Sequence, residues 1–301
     1  MVTAYNVADY IGAALDSALA QTLRDFELIV MDDGSTDETA RVTERFSDPR
    51  MTVVRSVHQG AATQLRNGIG RSRGKYIAIL DADDLWDPHK LLKHVEFLDS
   101  HAGADLTFCW SKIIDSAGRE TGATSPPWVG PVSLTELLAE NVIGNASALV
   151  LRREALMDAG GIDPSFEAYF DLDACLRIAA LRQGNLWAIP EFLTRHRLRA
   201  GQITADIEKL DRSFEQLLQK ARWFAPRVAA LVEPVARANM QRRCAYGWYQ
   251  GGDYWKSLVT MIRSLRRDPQ TFSSDRRNWK MTAASLRGAL LPRVLQRRAA
   301  Q

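Results

Sequence analysis

Short apolar runs alternate with segments of helical period through the first hundred residues, the pattern of a parallel sheet flanked by helices. Residues 26–31 (Phe-Glu-Leu-Ile-Val-Met) predict a buried strand that stops at Asp32-Asp33-Gly34-Ser35. A helix is expected to start there: Ser35 can cap it, Glu38 completes a capping box, and Asp37 complements the helix dipole. Residues 51–55 predict a second strand and residues 61–72 the helix after it. A third strand, over residues 76–80, runs into Asp81-Ala82-Asp83-Asp84. Asp87 followed by Pro88 supplies an N-cap and a favoured first position for a helix over residues 90–98. Residues 104–110 read as a fourth strand and residues 113–120 as a hairpin around an Asp-Ser-Ala-Gly turn. Residues 1–6 read as the tail of a first strand, with several residues expected before it.

From residue 116 to residue 204 the pattern is mixed, with helix signals at residues 133–140 and 152–159 and an acidic segment at residues 170–177. Beyond residue 205 the period is almost wholly helical. Residues 245–267, broken by Gly251-Gly252-Asp253, read as one helical hairpin whose core is expected to hold Tyr246, Trp248, Tyr249, Tyr254 and Trp255. In residues 283–298, Leu286, Leu290, Leu291, Val294 and Leu295 fall near one helical face and Arg287, Arg293, Arg297 and Arg298 around the other, interrupted by Pro292.

Composition changes this picture in two places. Among 301 residues no stretch approaches the roughly 18 apolar residues of a membrane span, and no secretory leader pattern opens the chain, so a cytoplasmic location is expected. The three cysteines, Cys109, Cys175 and Cys244, lack metal-site or disulfide spacing and read as buried thiols. The net charge of +3 hides an asymmetry: residues 261–301 carry +8 and the remainder −5. The basic segment reads as a solvated face or, with its apolar stripe, as a peripheral contact with an anionic membrane through residues 283–301. No nucleic-acid-binding module accompanies it, so nucleic acid is not expected as a partner.

Two of the predicted strands end in acidic clusters, and in open α/β sheets ligands sit outside the carboxyl ends of the strands. Asp32, Asp33, Asp81, Asp83 and Asp84 therefore converge on one crevice. So many carboxylates repel one another or rise in pKa unless a cation joins them, and an all-oxygen set suits Mg2+ or Mn2+ with substrate phosphates completing the shell. Helix capping is the alternative role for such residues. No Gly-x-x-x-x-Gly-Lys-Ser/Thr loop and no Gly-x-Gly-x-x-Gly turn occurs, so a nucleotide diphosphate held through a carboxylate-bound metal is the natural ligand.

Residues 3–6 (Thr-Ala-Tyr-Asn), 17–22 (Ser-Ala-Leu-Ala-Gln-Thr), 30–37 (Val-Met-Asp-Asp-Gly-Ser-Thr-Asp) and 66–69 (Arg-Asn-Gly-Ile) resemble motifs of one family. So do Asp81-Ala82-Asp83-Asp84, Arg152-Arg153-Glu154 with Gly160-Gly161-Ile162-Asp163, and Asp171-Leu172-Asp173 followed by Arg177. Taken in order over residues 2–204, they resemble the inverting family 2 glycosyltransferases of bacterial cell-surface polysaccharide type. The resemblance implies a GT-A fold: an α/β, Rossmann-like mixed sheet flanked by helices, here with a C-terminal α-helical appendage. The implied domains are residues 1–204, divided into a nucleotide-binding half (1–115) and an acceptor half (116–204), and a helical region over residues 205–301.

By position, the resemblance implies that Thr3, Tyr5, Asp33, Arg66, Asp81 and Asp83 bind the nucleotide sugar. Asp83 and Asp84 would hold Mn2+ or Mg2+, and Asp171 would be the catalytic base. Two departures stand out: Phe170 replaces a glutamate before Asp171, and Arg199 stands where the family has a histidine. An arginine cannot ligate a cation but can neutralise a diphosphate directly. The implied activity is metal-dependent, inverting hexosyl transfer from a nucleotide diphosphate sugar to a glycan or lipid-linked acceptor in surface polysaccharide biosynthesis, at the inner face of the cell membrane. A catalytically inactive sugar-nucleotide or glycan-binding protein and a nucleotidyltransferase are the alternatives. Among the other residues, His196 is a minor metal-ligand candidate, and Trp86 and Trp128 are the tryptophans placed to stack on a sugar.

Overall fold

The structure, a computed structural model, describes residues 1–182, 186–199 and 201–290. The chain divides into two units, Met1–Leu137 with Asn141–Ala200, and Leu138–Glu140 with Gly201–Gln301. The chain begins with β1 (Val2–Ala4), α1 (Ala8–Leu19), β2 (Leu28–Asp32), α2 (Thr39–Thr43), β3 (Met51–Arg55) and α3 (Ala61–Arg71). It continues with β4 (Tyr76–Ala78), β5 (Leu80–Asp81), β6 (Leu85–Trp86), α4 (Lys90–Ser100), β7 (Leu106–Ile114), β8 (Glu120–Thr124), β9 (Gly130–Val132) and α5 (Leu134–Ala139). Next come β10 (Leu149–Arg152), α6 (Arg153–Asp158), α7 (Phe170–Leu181) and β11 (Leu186–Arg197).

Four parallel strands form a sheet of order β3-β2-β1-β5. The chain steps outward from β1 through β2 to β3, then returns to lie beside β1 as β5. Strand order reverses there, and a ligand crevice opens at such a switch point. β2 is buried at all five positions, which explains the apolar run of residues 28–31 before Asp32. Ile11, Ala14, Leu15 and Ala18 on one face of α1 pack into the same core as Val2, Val30 and Leu80. Buried Gln21 ties the end of α1 to the start of α4, donating to the Asp87 carbonyl at 2.7 Å and accepting from the Leu91 N–H at 2.9 Å.

The second sheet is mixed, with order β4-β10-β7-β11-β6 and β8 and β9 joined at its flanks. The strand expected over residues 76–80 is split: β4 pairs with β10 in this sheet, while β5 pairs with β1 in the other. One extended segment thus crosses between the sheets and delivers Asp81 to the crevice.

One predicted helix start shifts. After β2 the helix begins only at Thr39, because Ser35 Oγ accepts from the Asn6 N–H and the Asp37 carboxylate from the Ala8 and Thr39 N–H groups. These side chains staple the β1 turn instead of forming the capping box. α4 begins at Lys90, the start expected, with the Asp87 carboxylate accepting from the His89 N–H. A reciprocal box does form at Ser133 and Glu136, ahead of α5. The hairpin expected over residues 113–120 is present between β7 and β8.

In the second unit, α8 (Ile207–Phe224), α9 (Pro226–Gln250), α10 (Tyr254–Arg267), α11 (Pro269–Ser274) and α12 (Arg276–Leu290) follow one another. The expected helical hairpin is α9 and α10, with Asp253 capping α10 by accepting from the Lys256 N–H at 3.0 Å. Its aromatic residues divide differently from the expectation: Tyr254 is buried against Tyr249, whereas Tyr246 and Trp255 are exposed. Gly288 lets α12 approach α10 closely, since a Cβ there would lie 2.4 Å from Tyr254 Cδ1. Among the described residues no helix is long and apolar enough to cross a membrane.

Candidate active site

The crevice is built from the turn after β1, the loop after β5, the end of β11 and the start of α7. β1 sets Thr3 opposite Asp81 in the strand register. Tyr5, partly exposed, stacks on His58 with ring centroids 4.1 Å apart. Asp33 is buried, and its carboxylate accepts from the Gln59 N–H (2.7 Å), the Gly60 N–H (2.9 Å) and Gln64 Nε2 (2.7 Å), with His58 Nδ1 at 2.8 Å. Gly34, at φ +74°, makes the close pass possible: a Cβ there would sit 2.9 Å from the His58 nitrogen. Asp33 thus fixes the loop that carries the Tyr5–His58 stack. Arg66 stands exposed on α3, two residues beyond Gln64.

The acidic loop is clasped by β11. Asp84 is fully buried and accepts from the Arg197 N–H at 2.7 Å, while His196 Nδ1 lies 3.1 Å from its second oxygen. Arg197 donates to the carbonyls of Asp83 (2.7 Å), Asp115 (3.1 Å) and Ser116 (3.1 Å). Arg199 Nε donates to Asp83 Oδ2 at 2.6 Å. Both guanidinium groups lie 5.1 Å from the centroid of the Tyr10 ring.

Electrostatics tie the parts together. Burial, and then the carboxylates of Asp84, Asp83 and Asp171, hold the Asp81 carboxyl well above the usual range, with His196 opposing them. Burial raises Asp171 as well, opposed by the backbone N–H groups of Leu172 and Asp171 in the first turn of α7. For His196, burial favours the neutral ring, but Asp84 foremost, with Asp81 and Asp83, outweighs it and raises the imidazole.

The arginines nearest Asp171 in sequence pair with other carboxylates. Arg177 pairs with buried Asp173 at 2.7 Å, and Arg182 with Asp158 and Glu154. Trp86 proves to be core: it is buried, donates from Nε1 to the Ser147 carbonyl at 2.8 Å, and lies under the Lys90 ammonium. Half-buried Trp128 is held by the Pro131 carbonyl at 3.1 Å.

The fold therefore gathers Asp81, Asp83, Asp84, Asp171 and Arg199, with Thr3 beside them. His58, Tyr10 and Arg197 are site residues that the motifs did not single out. The alternation Arg195, Arg197, Arg199 at the end of β11 was the signal available for one of them. Asp81 and Asp83 offer the hard carboxylate oxygens a divalent cation takes, with Arg199 on Asp83 Oδ2, but among the described residues no group of three or more His, Cys, Asp or Glu side chains gathers as a metal site. Asp84, expected at the metal, has its oxygens turned to Arg197 and His196 instead.

The family model for glycosyl transferase family 2 matches residues 1–158. The chain belongs to that family. The match covers the acidic loop and stops before Asp171 and Arg199. An uncharacterised glycosyltransferase of Nostoc sp. is 30% identical over 209 residues, covering 66% of this chain and 63% of the relative. A Haemophilus influenzae glycosyltransferase is 23% identical over 274 residues, 88% of this chain and 93% of its own length. The Escherichia coli enzyme WfaP, a UDP-Glc:α-D-GlcNAc-diphosphoundecaprenol β-1,3-glucosyltransferase, is 35% identical over 101 residues, 33% of this chain and 40% of its own. Thus the chain spans less than two thirds of the Nostoc relative and of WfaP.

Among solved structures, Staphylococcus aureus TarS 1–349 superposes with a TM-score of 0.62 at 15% identity, covering 95% of this chain and 87% of that one. The mannosyltransferase PcManGT of Pyrobaculum calidifontis, solved with GDP-Man and Mn2+, gives 0.60 at 19% identity, covering 96% and 86%. The family's GT-A fold is the fold described above.

Proposed function

We propose that the protein transfers a hexose from a nucleotide diphosphate donor, with inversion, to a hydroxyl of a glycan or lipid-linked acceptor in surface polysaccharide assembly. The observation that supports this reading is the acidic loop after β5, set beside Thr3 by β1 and clasped by Arg197 and Arg199 within a family 2 domain; the resemblance adds Asp171 to it. TarS is known with UDP and UDP-GlcNAc and PcManGT with GDP-Man, and a donor of that class suits the crevice between β1 and β5.

The Tyr5–His58 stack, set by Asp33, lies beside the nucleoside, with Thr3 and Asp81 toward the ribose and Arg66 at the rim. Mg2+ or Mn2+ held by Asp83 with Asp81 would supply positive charge for the leaving diphosphate. Arg199, beside Asp83, would supply a second positive charge to the same phosphates. Asp171 removes the proton from the acceptor hydroxyl as its oxygen attacks the anomeric carbon. The bond from that carbon to the diphosphate oxygen breaks on the opposite face, and one displacement inverts the configuration.

A screen of UDP-, GDP- and dTDP-sugars with Mn2+ tests this by thermal unfolding. At one hundred times its Kd the cognate donor stabilises the fold by about 2.7 kcal/mol, roughly 5–10 °C in Tm. No shift with any nucleotide sugar would overturn the reading.

The membrane reading rests on α12, whose outer face exposes Trp279, Leu286 and Leu290 beside Arg276, Lys280 and Arg287, with no carboxylate in the helix. The rest of the stripe expected from the sequence, beyond residue 290, lies outside the described residues. Replacing Leu286 and Leu290 by Ser lowers partition onto phosphatidylglycerol vesicles by about tenfold, read by co-sedimentation. Unchanged partition would remove the membrane contact from the proposal.

A further inference from the structure

We propose that Arg199 is an exchangeable counter-ion of the acidic loop. It holds Asp83 before a cation arrives, and it passes to the donor diphosphate when a divalent ion takes that carboxylate. The inference rests on the metal-assisted reading above and adds to it a coupling between metal and nucleotide.

The two arginines of the clasp are held in different ways. Arg197 is fixed by three main-chain carbonyls, those of Asp83, Asp115 and Ser116, which neither ligand would replace. Arg199 instead grips a carboxylate, Asp83 Oδ2 at 2.6 Å, and rests on the face of Tyr10. Asp83 is itself nearly buried, so the pair is little screened by solvent. A divalent ion on Asp83 repels the guanidinium and competes for the same oxygens. A diphosphate offers the guanidinium a bidentate anionic partner in exchange. Tyr10 is the positioning residue: its ring face supports Arg199 in either arrangement and keeps it from solvent.

Such an exchange makes metal and diphosphate bind with positive coupling, and the coupling is reciprocal. Removing the guanidinium frees Asp83 for the ion and deprives the diphosphate of its cation. Mn2+ binding followed by electron paramagnetic resonance, with uridine diphosphate as the nucleotide probe, tests this without any turnover. In Arg199→Gln, Mn2+ alone binds about tenfold tighter than in the wild type, and uridine diphosphate without metal binds about tenfold weaker. Tyr10→Leu moves Mn2+ affinity in the same direction by a smaller factor, and Tyr10→Phe restores wild-type values because the ring face, not the hydroxyl, does the holding. Equal Mn2+ affinity in the wild type and Arg199→Gln would overturn the exchange while leaving the metal-assisted reading intact. Failure of Mn2+ to bind either protein, with or without uridine diphosphate, would overturn both.

Discussion

Asp171→Asn lowers the rate of sugar transfer by roughly 10²- to 10⁴-fold while nucleotide affinity changes little. The amide keeps the shape of the side chain and its place in the first turn of α7, but it cannot accept the proton of an acceptor hydroxyl. Because burial raises the Asp171 carboxyl, the wild-type rate also climbs with pH through that raised value, the carboxylate being the active form. A pH profile of kcat/KM on saturating metal shows this acidic limb. The same variant at the same pH, with a rate near that of the wild type, would remove Asp171 from the role of base.

The substitution has a second, opposite effect on stability. An acid whose folded pKa is raised above its usual 3.8 holds its proton more tightly in the native state than in the unfolded one. Wild-type stability therefore falls as pH rises from the unfolded value through the folded one, and the penalty stands in full above it. The Asn variant carries no such penalty. Its Tm exceeds that of the wild type near neutral pH, and the advantage vanishes below about pH 3.8, where both side chains are neutral. Loss of activity accompanied by a gain in stability is the signature of a group kept charged and buried for chemistry.

How much of this was legible in the sequence depended on whether a residue acts with its neighbours in the chain or across it. The apolar run before Asp32 and the acidic residues after residue 80 are local, and they marked β2 and the loop that follows β5. The split of residues 76–81 between two sheets was not readable, because Tyr76 and Leu80 are equally fit for a strand and only their partners β10 and β1 separate them. Ser35 and Glu38 have the spacing of a capping box, yet the chain used Ser35 on Asn6 instead, since the turn after β1 needed the acceptor more. Asp84 and His196 are 112 residues apart, so no spacing rule could reveal that the loop's last carboxylate is a structural anchor. Trp86 followed the acidic loop as a sugar platform would, but its indole N–H found the Ser147 carbonyl inside the core.

Asp84→Ala costs about 3–5 kcal/mol of stability and, through the loop it anchors, most of the donor affinity. The carboxylate is wholly buried, and its loss leaves the Arg197 N–H and the His196 ring without their acceptor. Asp84→Asn separates charge from shape, because its carbonyl oxygen can still accept from the Arg197 N–H. The distinguishing quantity is the pH dependence. His196 has a folded pKa above its usual 6.5, despite burial, because of Asp84 foremost. A raised histidine contributes stability that is complete below the unfolded pKa and is lost as pH rises through the folded one. Wild-type stability, followed by urea unfolding from pH 6 to pH 9, therefore declines on the alkaline side of 6.5. The Asn variant starts lower at pH 6 and declines less, so the two curves converge as the imidazole becomes neutral in both. Parallel curves over that range would mean that His196 stays neutral beside Asp84 and adds no charge pairing to the acidic loop.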